Sequence, residues 1–203
     1  FILRSYSPQA TIAGGEVIDN FPRKHRKRDA ENAREFLNKL VAARSDRAET
    51  VELIIDAAGG KGMTIPDVQA RTGWKRNVIE TAIAESGERL VAASEVYITQ
   101  SNFEALKQKM LDTVGEHHKR EPLSEGITRE ALRESVFAHK PVDVFKAVIA
   151  TAERERLVTA TRDLVRAASH SQTFTDDETR FVAALTEIYK TAGLEVPKLD
   201  EAV

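Results

Sequence analysis

The densest group of residues that could do chemistry is a basic run near the start of the chain. The segment FPRKHRKR places Arg23, Lys24, Arg26, Lys27 and Arg28 within six positions. Guanidinium and ammonium groups at this density displace counterions from nucleic-acid phosphates, without regard to base sequence. A run of this kind is either a solvated linker or an interaction arm. We interpret it as an arm that contacts a nucleic-acid backbone.

A second group of polar residues begins a predicted amphipathic helix. Lys75, Arg76 and Asn77 precede the segment VIETAIAES, whose apolar residues recur at helical spacing. A recognition helix contacts bases through its N-terminal residues, and Lys, Arg and Asn side chains suit base edges. Glu80 and Glu85 fall on the same predicted exposed surface, which argues against deep insertion into a groove.

No combination of residues predicts catalysis or a metal site. The spacings contain no nucleophile-base pair, no carboxylate dyad and no GxxxxGK[ST] phosphate loop. The absence of cysteine excludes disulfides and thiolate ligands. His117 and His118 would point about 100° apart on a helix, so we interpret them as helix-end charges rather than metal ligands. His139 and His170 are interpreted as isolated. We predict that the chain is not an enzyme.

The chemistry-bearing residues must be positioned by a helix-rich unit. In GMTIPDVQARTG, Thr64 is the expected cap of a helix that has Pro66 in its first turn and ends at Gly73. The helix KRNVIETAIAESG and two β-prone runs, RLVAA and EVYIT, follow. This order is typical of the winged form of helix-turn-helix. Trp74, in the turn, is expected to be a core wedge rather than a base-stacking platform.

The same unit recurs along the chain. The segment Gly126-Ile127-Thr128 repeats Gly62-Met63-Thr64 after 64 residues, and Gly193-Leu194 begins a third copy 67 residues later. A regular period indicates tandem modules. The helix predicted at 176–192, with Thr175 as its cap, has the form of the first helix of that third copy.

We therefore predict a mainly α fold with small β elements: tandem winged-helix domains preceded by a β-hairpin. The predicted divisions are a hairpin and basic joint (1–28), a connecting helix (29–48), a first winged helix (49–100), a second winged helix (101–168) and the truncated start of a third (169–203). The connecting helix should bury Phe36, Leu37, Leu40 and Val41 between its two neighbours.

The opening segment predicts two short strands. Phe1 and Leu3, then Thr11, Ile12, Val17 and Ile18, flank a Ser-Pro turn and a Gly-Gly kink. Two strands are only marginally stable alone, so they are expected to complete a sheet formed by residues outside this sequence. The chain also begins with Phe rather than Met, and we expect it to be a fragment of a longer protein.

This opening carries a family resemblance. FILR, a loop and TIAGGEVID resemble the closing hairpin of the last β-barrel domain in translational GTPases of the elongation-factor-Tu type. Followed by FPRKHRKR and tandem winged helices, the hairpin resembles the bacterial selenocysteine-specific elongation factors. The resemblance covers the whole chain, and its most specific part is Phe1–Arg28.

The resemblance implies a factor that carries selenocysteinyl-tRNA to ribosomes at recoded UGA codons. Its C-terminal winged helices tether it to an mRNA hairpin, so the winged helices here would link the tRNA-binding part to the hairpin reader. In the related barrel, the loop of the terminal β-hairpin lies against the tRNA. The matching residues here are Arg4, Ser5, Tyr6, Ser7 and Gln9. The basic run would then contact RNA. GTP and magnesium belong to a nucleotide-binding domain that this sequence lacks, so we expect neither cofactor here.

The alternative is a tandem winged-helix transcription regulator that binds DNA, which the fold by itself would allow. Charge argues against it: residues 45–100 carry six basic and nine acidic residues, and residues 101–168 carry twelve and eleven. Residues 1–44, by contrast, carry nine basic and five acidic residues. No apolar run approaches the roughly 20 residues that span a bilayer. We expect a cytoplasmic monomer with no membrane partner.

Overall fold

A short hairpin opens the fold. The computed structural model describes residues 1–22, 24, 26–171 and 176–192, and the side chains of Lys27 and Asp176 lie outside this description. Strands β1 (Ile2–Arg4) and β2 (Thr11–Gly14) pair antiparallel. The expectation that Val17 and Ile18 belong to the second strand is wrong. The strand ends at Gly14 because the following residues leave the hairpin and dock on the first winged unit through Asp19.

The first winged unit follows a connecting helix, α1 (Ala30–Ala43). Its elements are α2 (Arg47–Asp56), β3 (Met63–Thr64), α3 (Ile65–Thr72), α4 (Arg76–Ser86), β4 (Leu90–Ala93) and β5 (Val96–Thr99). The three strands form one sheet in the order β3-β5-β4. Val51, Ile55, Val68 and Ile79 are fully buried at its centre. Trp74 packs against this core, as predicted.

Local sequence signals determine the ends of α3. The Thr64 hydroxyl accepts a hydrogen bond from the Asp67 amide, and the Asp67 carboxylate accepts one from the Thr64 amide at 3.0 Å. This reciprocal capping box satisfies two amides that the helix leaves unpaired. At the other end Gly73 adopts a left-handed conformation with φ 71°. The predicted start and end of this helix are confirmed.

The second winged unit repeats the first. Its elements are α5 (Gln100–Arg120), β6 (Ile127–Thr128), α6 (Arg129–Phe137), α7 (Val142–Arg154), β7 (Val158–Ala160) and β8 (Leu164–Ala167). Its sheet order, β6-β8-β7, matches that of the first unit. The mainly α fold with small sheets, and the tandem winged helices after a hairpin, are confirmed.

The repeated glycines have one physical reason in both units. A Cβ on Gly62 would lie 2.5 Å from the carbonyl oxygen of Tyr97, and one on Gly126 would lie 2.7 Å from that of Val165. Both contacts are shorter than van der Waals separation allows. Both glycines also have positive φ, 61° and 154°. A side chain at either position would push the short first strand away from its partner.

The wing of the first unit is buried between the two units. Along β5, Tyr97 packs against the core of the first unit, whereas Val96 and Ile98 join the core of the second. Along β4, Leu90 and Val91 divide in the same way. Alternate strand residues face opposite sides of a sheet, so one ribbon serves two cores. The winged units are therefore joined by continuous apolar packing.

The outer helices expose more apolar surface than predicted. In α1, Leu40 and Ala43 are buried, but Leu37 and Val41 are 40% and 49% exposed. The expectation that all four apolar residues turn inward is wrong, since Leu37 and Val41 each lie one residue, about 100°, beyond the buried stripe. Helix α8 (Asp176–Ala192) leaves Phe181 50% exposed. Thr175 and residues 193–203 lie outside the described residues. None of the described helices has the length and apolarity needed to cross a membrane.

Candidate nucleic-acid interface

The hairpin loop presents two of its predicted RNA-contacting residues to solvent. Tyr6 is 98% exposed, and Arg4 is exposed at the end of β1. Ser5 is different, because its hydroxyl donates to the Pro8 carbonyl and accepts from the Ala10 amide at 3.2 Å. The hydroxyl of Ser5 thus closes the loop. The side chains of Arg4 and Tyr6 have no hydrogen-bond partner among the described residues, so they can hydrogen-bond phosphate or ribose.

The basic run lies between the hairpin and α1. Lys24, Arg26 and Arg28 are exposed. Among the described residues, Arg28 has one weak acidic neighbour, with 3.7 Å between its Nε and the Oδ1 of Asp29. The predicted contacts Arg23 and the Lys27 side chain fall outside the described residues. The positive charge of the described part of this run is therefore largely uncompensated and open to an anionic partner.

The start of α4 carries the third predicted group. Lys75, Arg76 and Asn77 are all exposed. The Arg76 Nε, however, donates to Glu80 Oε1 at 3.0 Å, so a phosphate would have to compete with this carboxylate. Pairs of this i,i+4 kind contribute only a few tenths of a kcal/mol, so the competition is weak.

A winged helix can contact a ligand with its wing, a two-stranded ribbon, as well as with its helix. The ribbons of this chain, β4–β5 in the first unit and β7–β8 in the second, differ. The first ribbon is not free, because Ala93, Val96 and Ile98 are buried against the second unit. The second ribbon buries Val158 and Val165 but exposes Thr159 and Arg166 on its other face. Of the two ribbons, only the second has a face open to a ligand.

A buried ion pair fixes the segment before the basic run to the first winged unit. Arg71, near the end of α3, donates from Nε to Asp19 Oδ2 at 3.2 Å, and its Nη2 donates to the same oxygen. Its Nη1 donates to the Ile54 carbonyl at 3.3 Å. Both charged side chains are less than one-tenth exposed. The sequence gives no sign of this pair, since 52 residues separate its members and neither stands in a charge pattern.

A polar seam between the winged units likewise has no mark in the sequence. Asp56, at the end of α2, accepts hydrogen bonds from Thr99 Oγ1 at 2.9 Å and Asn102 Nδ2 at 2.8 Å. These two donors flank the start of α5. The end of one unit is thus bonded to the beginning of the next, alongside the shared apolar core.

Three histidines form a cluster, contrary to the sequence-based expectation: His117 and His118 are buried and His170 is half-buried. His170, expected to be isolated, stacks on His118 with ring centroids 3.6 Å apart. His118 Nε2 accepts from the Ala167 amide at 3.1 Å, and His117 Nε2 lies 3.1 Å from Ser124 Oγ. Burial lowers the pKa of His118, and His170, His117 and Arg166 lower it further. Helix-end charge is therefore the wrong role for His118: its neutral ring joins α5 to the end of β8.

The part of the chain that the structure describes holds no cluster of three or more His, Asp or Glu side chains suited to a metal ion. The three predicted contact groups lie on three separate elements: the β1–β2 loop, the segment before α1, and the start of α4. Their described members line no common pocket with convergent polar groups. Such exposed and dispersed basic residues suit contact with an extended polyanion better than capture of a small molecule.

Two comparisons with known proteins bear on this arrangement. Residues 111–166, from the second half of α5 to β8, match a family model described as "Elongation factor SelB, winged helix". The chain is also 23% identical over 201 residues to the selenocysteine-specific elongation factor of Desulfomicrobium baculatum. That alignment covers 97% of this chain, and the chain spans 31% of the length of that relative. The resemblance found in the sequence is thereby confirmed: over nearly its whole length the chain is similar to a selenocysteine-specific elongation factor, and residues 111–166 match a winged helix of the SelB kind.

Proposed function

We propose that this chain is the linking part of a translation elongation factor that delivers selenocysteinyl-tRNA to the ribosome at UGA codons. Its two winged units would hold the tRNA-binding part at a set distance and angle from the part that reads an mRNA hairpin. The observation that carries the proposal is the buried first ribbon. A ribbon that serves two cores makes a poor groove reader and a good rigid joint.

The ends of the described structure support the same proposal. The β1–β2 hairpin exposes Phe1, Ile2, Leu3 and Ile12, each by more than half. An isolated hairpin with exposed apolar residues is expected where further strands of a sheet would cover them. The β-barrel of a tRNA-binding domain would supply such strands. Helix α8 likewise exposes Phe181 and Tyr189, as the first helix of a third winged unit would without the rest of its core.

The predicted contacts take complementary roles in this proposal. Arg4 and Tyr6 would contact the tRNA from the hairpin loop, and the basic run would contact RNA phosphates where the barrel meets the winged helices. Lys75, Arg76 and Asn77 would supply weaker backbone contacts. GTP and magnesium would act in the nucleotide-binding domain of the whole factor, and we expect this chain alone to show no GTPase activity in a phosphate-release assay.

The decisive experiment compares this chain with a version extended to the end of its natural protein. Fluorescence anisotropy of a labelled selenocysteine-insertion hairpin is measured against both at low and moderate salt. The linker proposal predicts tight binding by the extended protein and weak, salt-sensitive binding by the 203-residue chain. Equally tight, sequence-specific binding by the 203-residue chain would make it the reader instead. Failure of both to bind the hairpin, with binding to duplex DNA, would favour a transcription regulator.

A further inference from the structure

Three lysines from three elements lie near the junction between the winged units, close enough that the charges of two of them act on the third. Lys140 lies in the turn between α6 and α7, and its Cε is 3.0 Å from the position that a Cβ on Gly60 would occupy. Leu106 of α5 lies against the same glycine, at 3.1 Å. Lys61 follows Gly60 directly, and Lys109 lies one helical turn after Leu106, on the same face of α5. The first unit thus contributes one lysine and the second unit two.

The turn before α7 holds Lys140 in this position. The backbone amide of Lys140 donates to the Phe137 carbonyl at 3.0 Å. His139, the residue before it, has a φ of 60°, which a residue with a side chain adopts only at some cost. The ammonium group of Lys140 donates one hydrogen bond to the Val136 carbonyl at 2.8 Å. Two of its three N–H groups remain for other acceptors.

The charges at this junction are not compensated by carboxylates. Within the described residues, neither Lys61, Lys109 nor Lys140 takes part in an ion pair. Burial lowers the pKa of Lys140, and the nearby charges of Lys109 and Lys61 lower it further. Lys107, two residues before Lys109 on α5, has the usual compensation of a buried lysine charge by carboxylates. Its ammonium lies 2.8 Å from Glu104 and 2.7 Å from Glu155. The junction therefore concentrates positive charge that the fold elsewhere neutralises.

We propose that Lys61, Lys109 and Lys140 form a docking site for the phosphate backbone of an RNA helix. Ammonium groups bind phosphates as point charges and need no particular base sequence. Because both units contribute, the site exists only while the units keep their packed arrangement. It would orient the linker on RNA as well as separate its ends. The inference rests on the proposed function for its choice of RNA as partner.

The test measures binding of a short labelled RNA duplex to the 203-residue chain by anisotropy over a series of salt concentrations. The variant carries Lys61→Gln and Lys109→Gln, both at exposed positions, and leaves the partly buried Lys140 in place. The matched control carries Lys119→Gln and Lys146→Gln, which change the net charge equally at exposed lysines elsewhere. Thermal unfolding by circular dichroism verifies that both variants fold.

Loss of two phosphate contacts should lower the slope of log affinity against log salt by about 2 and weaken binding about tenfold or more near 0.1 M salt. The control variant should keep a slope close to that of the original chain. Equal losses in both variants, or no loss in the junction variant, would overturn the site. Tighter binding of a polyglutamate peptide than of RNA, lost in the junction variant, would reassign it to an acidic protein partner.

The hairpin experiment on the extended protein separates this inference from the proposed function. If the extended protein binds the hairpin while the junction variant, Lys61→Gln with Lys109→Gln, leaves the salt slope unchanged, only the docking-site inference is refuted. If the extended protein does not bind the hairpin while duplex RNA binding still depends on Lys61 and Lys109, the docking site is supported and the linker proposal is refuted.

Discussion

At the residue scale, the histidine cluster shows how packing changes the chemistry of a side chain. His118 Nε2 accepts a hydrogen bond from the Ala167 amide, so this nitrogen must be unprotonated in the folded chain. Its Nδ1 is buried and has no hydrogen-bond partner in the structure. A proton on the ring would oppose the Ala167 donor and would repel Arg166 and the two neighbouring histidines. The folded state therefore favours neutral His118.

We expect acid to destabilise the fold through His118. Its pKa is lower in the folded chain than in the unfolded one, so between the two values the unfolded state binds more protons. The free energy of unfolding is then unaffected above about pH 6.5 and falls below it, by at most about 1.4 kcal/mol per pH unit. Urea unfolding across this range should show a smaller pH slope for His118→Gln than for the original chain.

The exposed His139 supplies the control for this pH dependence. His139→Gln makes the same exchange at a ring that is exposed and lies outside the cluster, so it is the matched variant for His118→Gln. Identical slopes for His118→Gln and the original chain would show that protonation of His118 is not linked to folding.

At the scale of elements, the Asp19–Arg71 pair links the hairpin segment to α3. A buried guanidinium needs several acceptors, and Arg71 has the Asp19 carboxylate, the Ile54 carbonyl and the face of Phe36, whose ring centroid is 5.5 Å away. The Asn20 amide adds a hydrogen bond to the Arg71 carbonyl at 2.8 Å. These contacts join the segment before the basic run, α1 and α3 at one point, which limits how far the hairpin can swing.

Asp19→Ala should therefore lower the free energy of unfolding by about 3 kcal/mol, because it leaves the Arg71 charge buried without its counterion. Chemical denaturation measures this loss. Amide exchange at Asn20 should also accelerate as the segment detaches. The control is Glu16→Ala in the same segment: its exposed carboxylate lies 4.0 Å from Arg44, and its loss should cost less than about 0.5 kcal/mol. Equal costs for the two variants would refute the anchoring role of Asp19.

At the scale of the whole molecule, we expect the two winged units to unfold as one cooperative body because they share the first ribbon. Ile98 and Phe103 lie 0% and 2% exposed in a core that reaches from the first ribbon to α7. The Asp56 hydrogen bonds to Thr99 and Asn102 add polar contacts at the same seam. Separating the units would expose this core, so rotation of one unit against the other is strongly opposed. This rigidity is what a linker of set length and angle requires.

Ile98→Ala should test that cooperativity. Removing three buried methyl or methylene groups costs about 2–5 kcal/mol, and both units should lose stability together. Trp74 fluorescence reports on the first unit, and amide exchange in α7 reports on the second. With and without the substitution, the two units should unfold in one common transition. The exposed Val142→Ala should change stability by less than about 0.5 kcal/mol, whereas separate transitions for Trp74 and α7 would contradict a single body.

Some features could be read from the sequence because they depend on neighbouring residues. Thr64 and Asp67 form a cap three residues apart, and Gly62 and Gly126 hold backbone conformations that side chains resist. Hydrophobic periodicity predicted the helices, and the 64-residue period indicated the tandem arrangement. The exposed positions of Lys75, Arg76 and Asn77 followed from the same helical pattern.

The two ribbons also differ in their sequence pattern. The strands LVAA and VYIT of the first ribbon carry no charge, whereas VTA and LVRA of the second alternate buried valines with Thr159 and Arg166. An uninterrupted apolar strand indicates burial on both faces. This difference could have predicted that the first ribbon is covered and the second is open.

By itself, the sequence determined the family resemblance, the element types and the repeat, since local pattern and turn chemistry are enough to specify them. Only the tertiary structure decided which distant groups meet. Asp19 pairs with Arg71 across 52 positions, His170 stacks on His118, and Lys140 of the second unit lies against Gly60 of the first. Such contacts depend on how two complete units pack, and a charged or aromatic residue carries no local mark of its distant partner.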